Sequence, residues 1–435
     1  MSCCQSAGLF ALTTALLLTS LPAPGWAQNK SGWEVRTIAS NATYGCRRPF
    51  GAGVYDPDTN STTVCWNGEG MSVYARRFDH KTATWGPARR VWKNAWFTKW
   101  DYHNYPTVVL APDGHLLIFF FQHSSKAYML RSPSPGAIEG TWTRTLLPAS
   151  RPAYPMPIVC GEEVYLFYSR SDNISQAYRT YRYIKSADNG KTWSQPRMAI
   201  DSQQKVPGRF DEVYAIDCHV VPAAAGRPAR IQLTWEMHGG PGHNIGSRNN
   251  HFVYFLPRTG KFQAVDGTDL GEWVDFTEME NKCVVHRGGA RTGHPMGYSI
   301  TTASLSDAAP LVLYRDGAKR FLAVWDGQAW TQRPTPPSTG DIARTSEGRL
   351  RIFGSASRQL AIHESADGGK SWRKVWAGAF PHADGSDSTC NRGLITNAHP
   401  DIPAMLCGKN SQTSKSDYSG RWPVVIIGNT GPVDR

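Results

Sequence analysis

No CxxC pair and no HExxH stretch occurs in the 435 residues, so ligand spacing alone assigns no zinc site. Apolar residues do not recur at helical intervals over any long window, which argues against a helical bundle or a doubly wound α/β fold. Despite a formal net charge of +12, Lys and Arg form no run or stripe, and that dispersal disfavours nucleic acid as a partner. No apolar run is long enough for a membrane span. Residues 1–27 contain no Lys, Arg, Asp or Glu; their apolar core at 9–21 is followed by Pro22, Pro24 and the small-residue end Gly25, Trp26, Ala27. They are expected to be a secretory signal peptide cut after Ala27, leaving 28–435 as one exported, monomeric domain.

Aromatic and turn-forming residues are plentiful: 16 Trp, 17 Tyr and 16 Phe, with 41 Gly and 29 Pro cutting the chain into short pieces. That combination suits an all-β repeat fold. Beyond the leader stand seven cysteines, and in an oxidising compartment Cys46–Cys65 and Cys390–Cys407 are the plausible local disulfides. Each would close a loop of about 20 residues, worth ~3 kcal/mol, and the odd count leaves at least one thiol over. His238, His243, His251 and Cys283 form a weak metal-ligand set, since nothing in their spacing requires them to meet.

Two octapeptides repeat almost unchanged, SADNGKTW at 186–193 and SADGGKSW at 365–372. Both match SxDxGx[ST]W, the Asp box, a turn shaped by Asp and Gly with Trp packing between neighbouring sheets. Weaker marks of the same kind fall at 79–85, 134–142, 257–262 and 326–330. A seventh sheet is implied by 391–429, whose apolar run 422–427 can pair with 33–38 and close a ring. The expectation is a seven-bladed β-propeller of four-stranded antiparallel blades, about 55 residues each.

Residues 101–126, DYHNYPTVVLAPDGHLLIFFFQHSSK, read as a hairpin turning at Pro112, Asp113 and Gly114. Residues equidistant from a tight turn lie opposite each other, so His103 and His123 should emerge together at the open end. The next hairpin repeats the layout with Tyr154 and Arg170, and the one after it offers Tyr214 and then His219. Two imidazoles, two phenols and a guanidinium suit acid and base chemistry on an anionic molecule, such as β-elimination of a uronic-acid polysaccharide. Arg170 would hold the carboxylate, and His103 and Tyr154 would share the roles of base and acid. Tyrosine is a weak base at neutral pH unless nearby cations stabilise its phenolate; Arg170 and a protonated His123 would supply that charge.

The segments YHNYPTVVLAPDGHLLIFFFQH, YPMPIVCGEEVYLFYSR and VYAIDCHV, with the Asp boxes, resemble the BNR/Asp-box-repeat polysaccharide lyases typified by ulvan lyases, which are seven-bladed β-propellers. The resemblance is specific across about 100–210 and implies cleavage between rhamnose and uronic acid by β-elimination, with an acidic polysaccharide as substrate. It places the family's His pair on His103 and His123, its Tyr and Arg on Tyr154 and Arg170, and a further Tyr on Tyr214. Asn104 and His219 join Tyr214 as substrate-binding candidates. No cofactor is implied for catalysis, though relatives of this kind carry a structural Ca2+ or Zn2+ away from the centre. The loop from His238 to His251 and the cysteine content depart from the pattern. A sialidase, also an Asp-box propeller, would need an arginine triad, and the only near match to its early motif, Arg47 to Phe50, has the wrong residue order. A non-catalytic carbohydrate-binding propeller is the alternative from another class.

Overall fold

The computed structural model describes residues 32–43, 52–95, 103–173, 178–203, 210–224, 226–240, 248–289, 301–306, 309–316, 319–336, 339–345, 347–356, 359–379, 391–407 and 422–429. The expected signal peptide, the arginine motif at 47–50, Cys46, Cys390 and His243 lie outside them, and with these cysteines go both expected disulfides. The described part is all-β with a β-propeller arrangement, and its one α-helix, Phe276–Lys282, is capped by Asp275. No described helix is long and apolar enough to cross a membrane.

Consecutive strands pair antiparallel through tight turns, as the Gly and Pro punctuation requires. Thr107–Leu110, Leu116–Gln122, Lys126–Arg131 and Thr143–Ser150 make one four-stranded sheet, and 301–333 and 339–379 supply two more. Where seven separate blades were expected, the hydrogen bonding of the described residues delineates five sheets, because two are larger, with nine and ten strands. Each large sheet contains a parallel junction. In one, Gly53–Asp56 lies beside Asn391–Thr396; in the other, Tyr178–Ser186 touches Phe210–Val221 through the pair Arg179 and Glu212.

The first and last strands pair as expected: Glu34–Ala42 runs antiparallel to Trp422–Gly428, with Val35 opposite Ile427 and Thr37 opposite Val425. The core lies between sheet faces. Leu117, Phe119 and Phe121 pack against Val164, Leu166 and Tyr168 of the next sheet, each fully buried apolar side chain worth ~1.5–3 kcal/mol.

Both Asp boxes take the expected form. Asp188 accepts from the Thr192 backbone and hydroxyl at 2.8 and 2.6 Å, while Ser186 Oγ accepts the Gly190 N–H at 2.8 Å. Trp193 then meets the Phe119 ring edge-on at 5.6 Å, and Trp372 packs against the cluster of Leu311, Leu322 and Leu350. Two of the weaker marks use a lone Asp in the same way: Asp79 caps Lys81 and Thr82, and Asp326 caps Gln328 and Ala329.

Candidate active site

The hairpin of 101–126 turns where the sequence indicates. Gly114 adopts φ +78°, and Asp113 accepts from His115 and pairs with Arg131 at 2.5 Å. Thr107 faces Phe119 and Leu110 faces Leu116, a register that, continued toward the open end, sets His103 opposite His123. The two imidazoles stack, centroids 4.0 Å apart and planes at 26°. Asn104 fixes this end: its side-chain oxygen accepts the His123 N–H at 2.8 Å, and its backbone carbonyl takes a hydrogen bond from Asn67. Asn104 thus positions the histidine pair.

Tyr154 enters beside them, its ring 5.4 Å from that of His103. Pro152 faces Arg170 and Ala153 faces Ser169, but Met156 faces Phe167, so the Tyr154 strand carries one extra residue. Such a bulge re-aims a side chain, and Tyr154 pays for it with φ +58°, in the left-handed region. Tyr214 also immediately precedes a register shift, its partner being Glu236 before the pairing resumes at Asp217 and Thr234. Its ring lies 5.9 Å from that of Tyr154 and 4.5 Å from that of His238. A continuous chain of rings therefore runs from His123 through His103, Tyr154 and Tyr214 to His238.

One guanidinium lies on this chain, and a second stands on the strand paired with that of Tyr154. Arg170, the expected carboxylate partner, pairs with Asp172 at 2.9 Å and keeps a side chain 29% exposed; its Nε is buried without a hydrogen-bond partner. Arg182 reaches the same carboxylate at 3.1 Å. Arg179 meets the phenols directly, centred 5.2 Å above the Tyr214 ring and paired with Glu212 at 3.1 Å. Burial works against its charge, yet Tyr214, Tyr154 and Glu212 outweigh that cost and hold its pKa above the usual arginine value. Its Nη1 is buried with no hydrogen-bond partner, a donor suited to an anionic ligand.

Arg179, Glu212 and Glu236 did not emerge from the sequence. The hairpin symmetry that located Tyr154 and Arg170 uses the first two strands of a unit, whereas Arg179 begins the third and arrives through the parallel contact with Glu212. His238 belongs to this wall, held by Glu236 at 2.7 Å.

The metal-ligand set drawn from the sequence is not assembled among the described residues. His251 stacks on Trp235 at 5.1 Å and contacts Glu280 at 3.3 Å, on the face opposite His238, because Trp235 and His238 are an odd number of residues apart on one strand. Cys283 caps the helix, fully buried, its thiol pKa raised by burial; Cys160 and Cys218 are likewise buried thiols outside any disulfide. His219 stands about 16 Å along its strand from Tyr214. There burial, then the charge of Arg344, lowers its pKa to about 4, so it is neutral at pH 7.

The model of the BNR repeat-containing family matches residues 63–337. The chain is similar to the ulvan lyase of Pseudoalteromonas sp. (strain PLSV), 22% identical with 86% of this chain and 82% of that protein covered. It is also similar to the ulvan lyase of Alteromonas sp. (strain LOR), 20% identical over the same shares. Among solved structures, an ulvan lyase described as representing a new polysaccharide lyase family superposes with a TM-score of 0.69 at 18% identity, over 92% of this chain and 97% of that one, a likeness of fold.

Proposed function

From the premise that the chain belongs to the BNR repeat-containing family, whose model spans well over half of it, we propose that it is a polysaccharide lyase cleaving an ulvan-like rhamnose–uronic acid polymer by β-elimination. The observation that carries this reading is the unbroken ring chain His123, His103, Tyr154, Tyr214, with Arg179 over the Tyr214 ring and Arg170 on the strand paired with that of Tyr154. The similarity to ulvan lyases, and to a solved ulvan lyase bound to GlcA(1-4)Rha3S, supports the substrate class.

The reaction has three demands. The uronate carboxylate must be neutralised so that the carbanion at C5 is accessible, the C5 proton must leave, and the C4–O bond must break as its oxygen takes a proton. Arg170 and Arg179 supply the positive charge. His103 and Tyr154, in edge contact, divide the proton transfers between them, and His123 braces the His103 ring from behind. The pair needs no cofactor for these steps, and the products are a sugar with a free hydroxyl and a C4=C5 unsaturated uronate.

Seven blades are part of the same reading. Splitting the two large sheets at their parallel junctions yields four further antiparallel units beside the three four-stranded sheets, which supports that count. A monomer exported through a cleaved leader, acting on an extracellular or periplasmic polysaccharide, completes the proposal. The test is the ultraviolet absorbance of the conjugated uronate on incubating purified protein with ulvan and other rhamnose–glucuronate polymers. Growth of that signal is expected; binding without any growth would sink the lyase and leave a carbohydrate-binding propeller.

A further inference from the structure

Between the strands Asn391–Thr396 and Ala404–Cys407, a turn brings His399 and Asp401 against His80, which directly follows the strand Val73–Asp79. We propose that His80, His399 and Asp401 bind one divalent transition-metal ion of the zinc class, which clasps the end of the chain to its beginning beside the ring closure.

One ligand atom from each residue lies within 4.8 Å of the other two, and among the described residues no other three His, Cys, Asp or Glu side chains meet in this way. His80 Nε2 lies 2.7 Å from Thr62 Oγ1. With Nε2–H donating to that hydroxyl, Nδ1 keeps its lone pair, the tautomer a metal needs, fixed by an outer partner. The His80 side chain is only 2% exposed, and its Nδ1 is buried with no hydrogen-bond partner. It points toward Asp401 Oδ2 at 3.9 Å, too far for a hydrogen bond. His399 Nδ1 stands 3.4 Å from the same oxygen; it accepts the Asp401 backbone N–H at 3.2 Å, a hydrogen bond that must give way for this lone pair to turn to the ion.

A tetrahedral ion held at 2.0–2.2 Å by N and O ligands requires those atoms about 3.3–3.5 Å apart, so small side-chain adjustments close the site. Two imidazoles and one carboxylate suit zinc and its neighbours; Ca2+ would take six to eight oxygens. Tyr55 lies 5.0 Å from the His399 ring and Phe78 4.9 Å from that of His80, walling the pair, while Asp401, 45% exposed, leaves entry for the ion and a water ligand.

The ligand-bearing turn is already tied to both chain ends. Trp33 Nε1 donates to the Pro400 carbonyl at 3.0 Å, and the Asn429 N–H donates to the Asp401 carbonyl at 2.8 Å. Because the ligands assemble only in the folded chain, the ion stabilises the closed ring. The site shares no residue with the ring chain of His103 and Tyr154.

The test uses the whole protein, stripped with a chelator and dialysed against Zn2+, with bound zinc measured by elemental analysis and unfolding followed thermally. Wild type is expected to bind one zinc equivalent more than His399→Ala and Asp401→Asn, both altered at partly exposed side chains. Zn2+ should raise the melting temperature of wild type alone. Thr62→Val, which leaves all three ligands, should weaken zinc binding about 10-fold or more. Equal zinc content and equal Zn2+-induced melting shifts in wild type and both folded ligand variants would overturn the site.

Discussion

His103 and His123 lie face to face, 4.0 Å between centroids, although nineteen residues and a complete hairpin separate them. His103 also meets the Tyr154 ring, at 5.4 Å, which puts it in line for proton transfer with that phenol. His103→Ala should lower kcat by about 10²–10⁴, the usual worth of a positioned acid or base. His123→Ala should cost less and act through the position of His103. Comparison of kcat and KM on one ulvan preparation checks the ranking, and equal losses would mean that both rings transfer protons.

Tyr154 holds φ +58° at a bulge, a costly conformation maintained by the packing around it. Tyr154→Phe preserves ring and backbone and removes only the hydroxyl. The expected result is a kcat loss of about 10²-fold or more with KM little changed and thermal unfolding unaltered. Tyr214→Phe, one ring further from the histidines, should instead change KM more than kcat.

Arg179 is fastened by Glu212 at 3.1 Å and faces two phenols. Arg179→Lys keeps the charge and loses the fork of donors, so activity should fall about tenfold or more; Arg179→Met should fall further and also lose stability by ~3 kcal/mol, since the buried ion pair with Glu212 would be broken. Melting temperature and initial rate separate the two effects. If Arg179→Met turns over substrate like wild type, the neutralising charge resides in Arg170 alone.

How much of this was legible follows from what each feature depends on. The histidine pairing follows from counting residues away from a turn, and the Asp boxes are local hydrogen-bond patterns that their own eight residues specify, so both could be read directly. Ring closure by 33–38 and 422–427 was legible because an apolar run at each end needs a partner. Arg179 was not, because its place depends on a parallel contact between units that no local pattern encodes. His238 and His251 were grouped by proximity in sequence, but strand alternation sends them to opposite faces. His80 and His399 could not be paired beforehand, since their meeting depends on how the ring closes.

Gly190, at φ +85° in the first Asp box, would place a Cβ 3.0 Å from Leu117 Cδ1 and 3.1 Å from Met129 Sδ. Gly190→Ala should therefore combine backbone strain with overpacking between sheets and cost ~2–4 kcal/mol in chemical denaturation. Gly161, at φ +61°, would place its Cβ in open space. Gly161→Ala should cost only the backbone part, ~1–2 kcal/mol. Equal losses would show that the box does not hold the neighbouring sheet at close contact.

Asp188 gives a pH dependence of definite sign. Burial tends to raise its pKa, but hydrogen bonds from the Thr192 side chain and backbone and from Ser186 prevail and lower it from 3.8 to about 2. A carboxyl with a depressed folded-state pKa binds protons less readily than in the unfolded chain, so its contribution to stability is full above about pH 4. That contribution is lost as pH falls toward 2. Asp367 in the second box is shifted the same way, chiefly by the Ser371 hydroxyl. Wild type should lose melting temperature steeply between pH 4 and pH 2, while Asp188→Asn, less stable at pH 6, should show a shallower slope over that interval. Circular-dichroism melts across the range measure it, and parallel slopes would mean that the acid transition is governed by other carboxylates, such as Glu280, which His251 and Arg287 lower to about 2 against the opposing effect of burial.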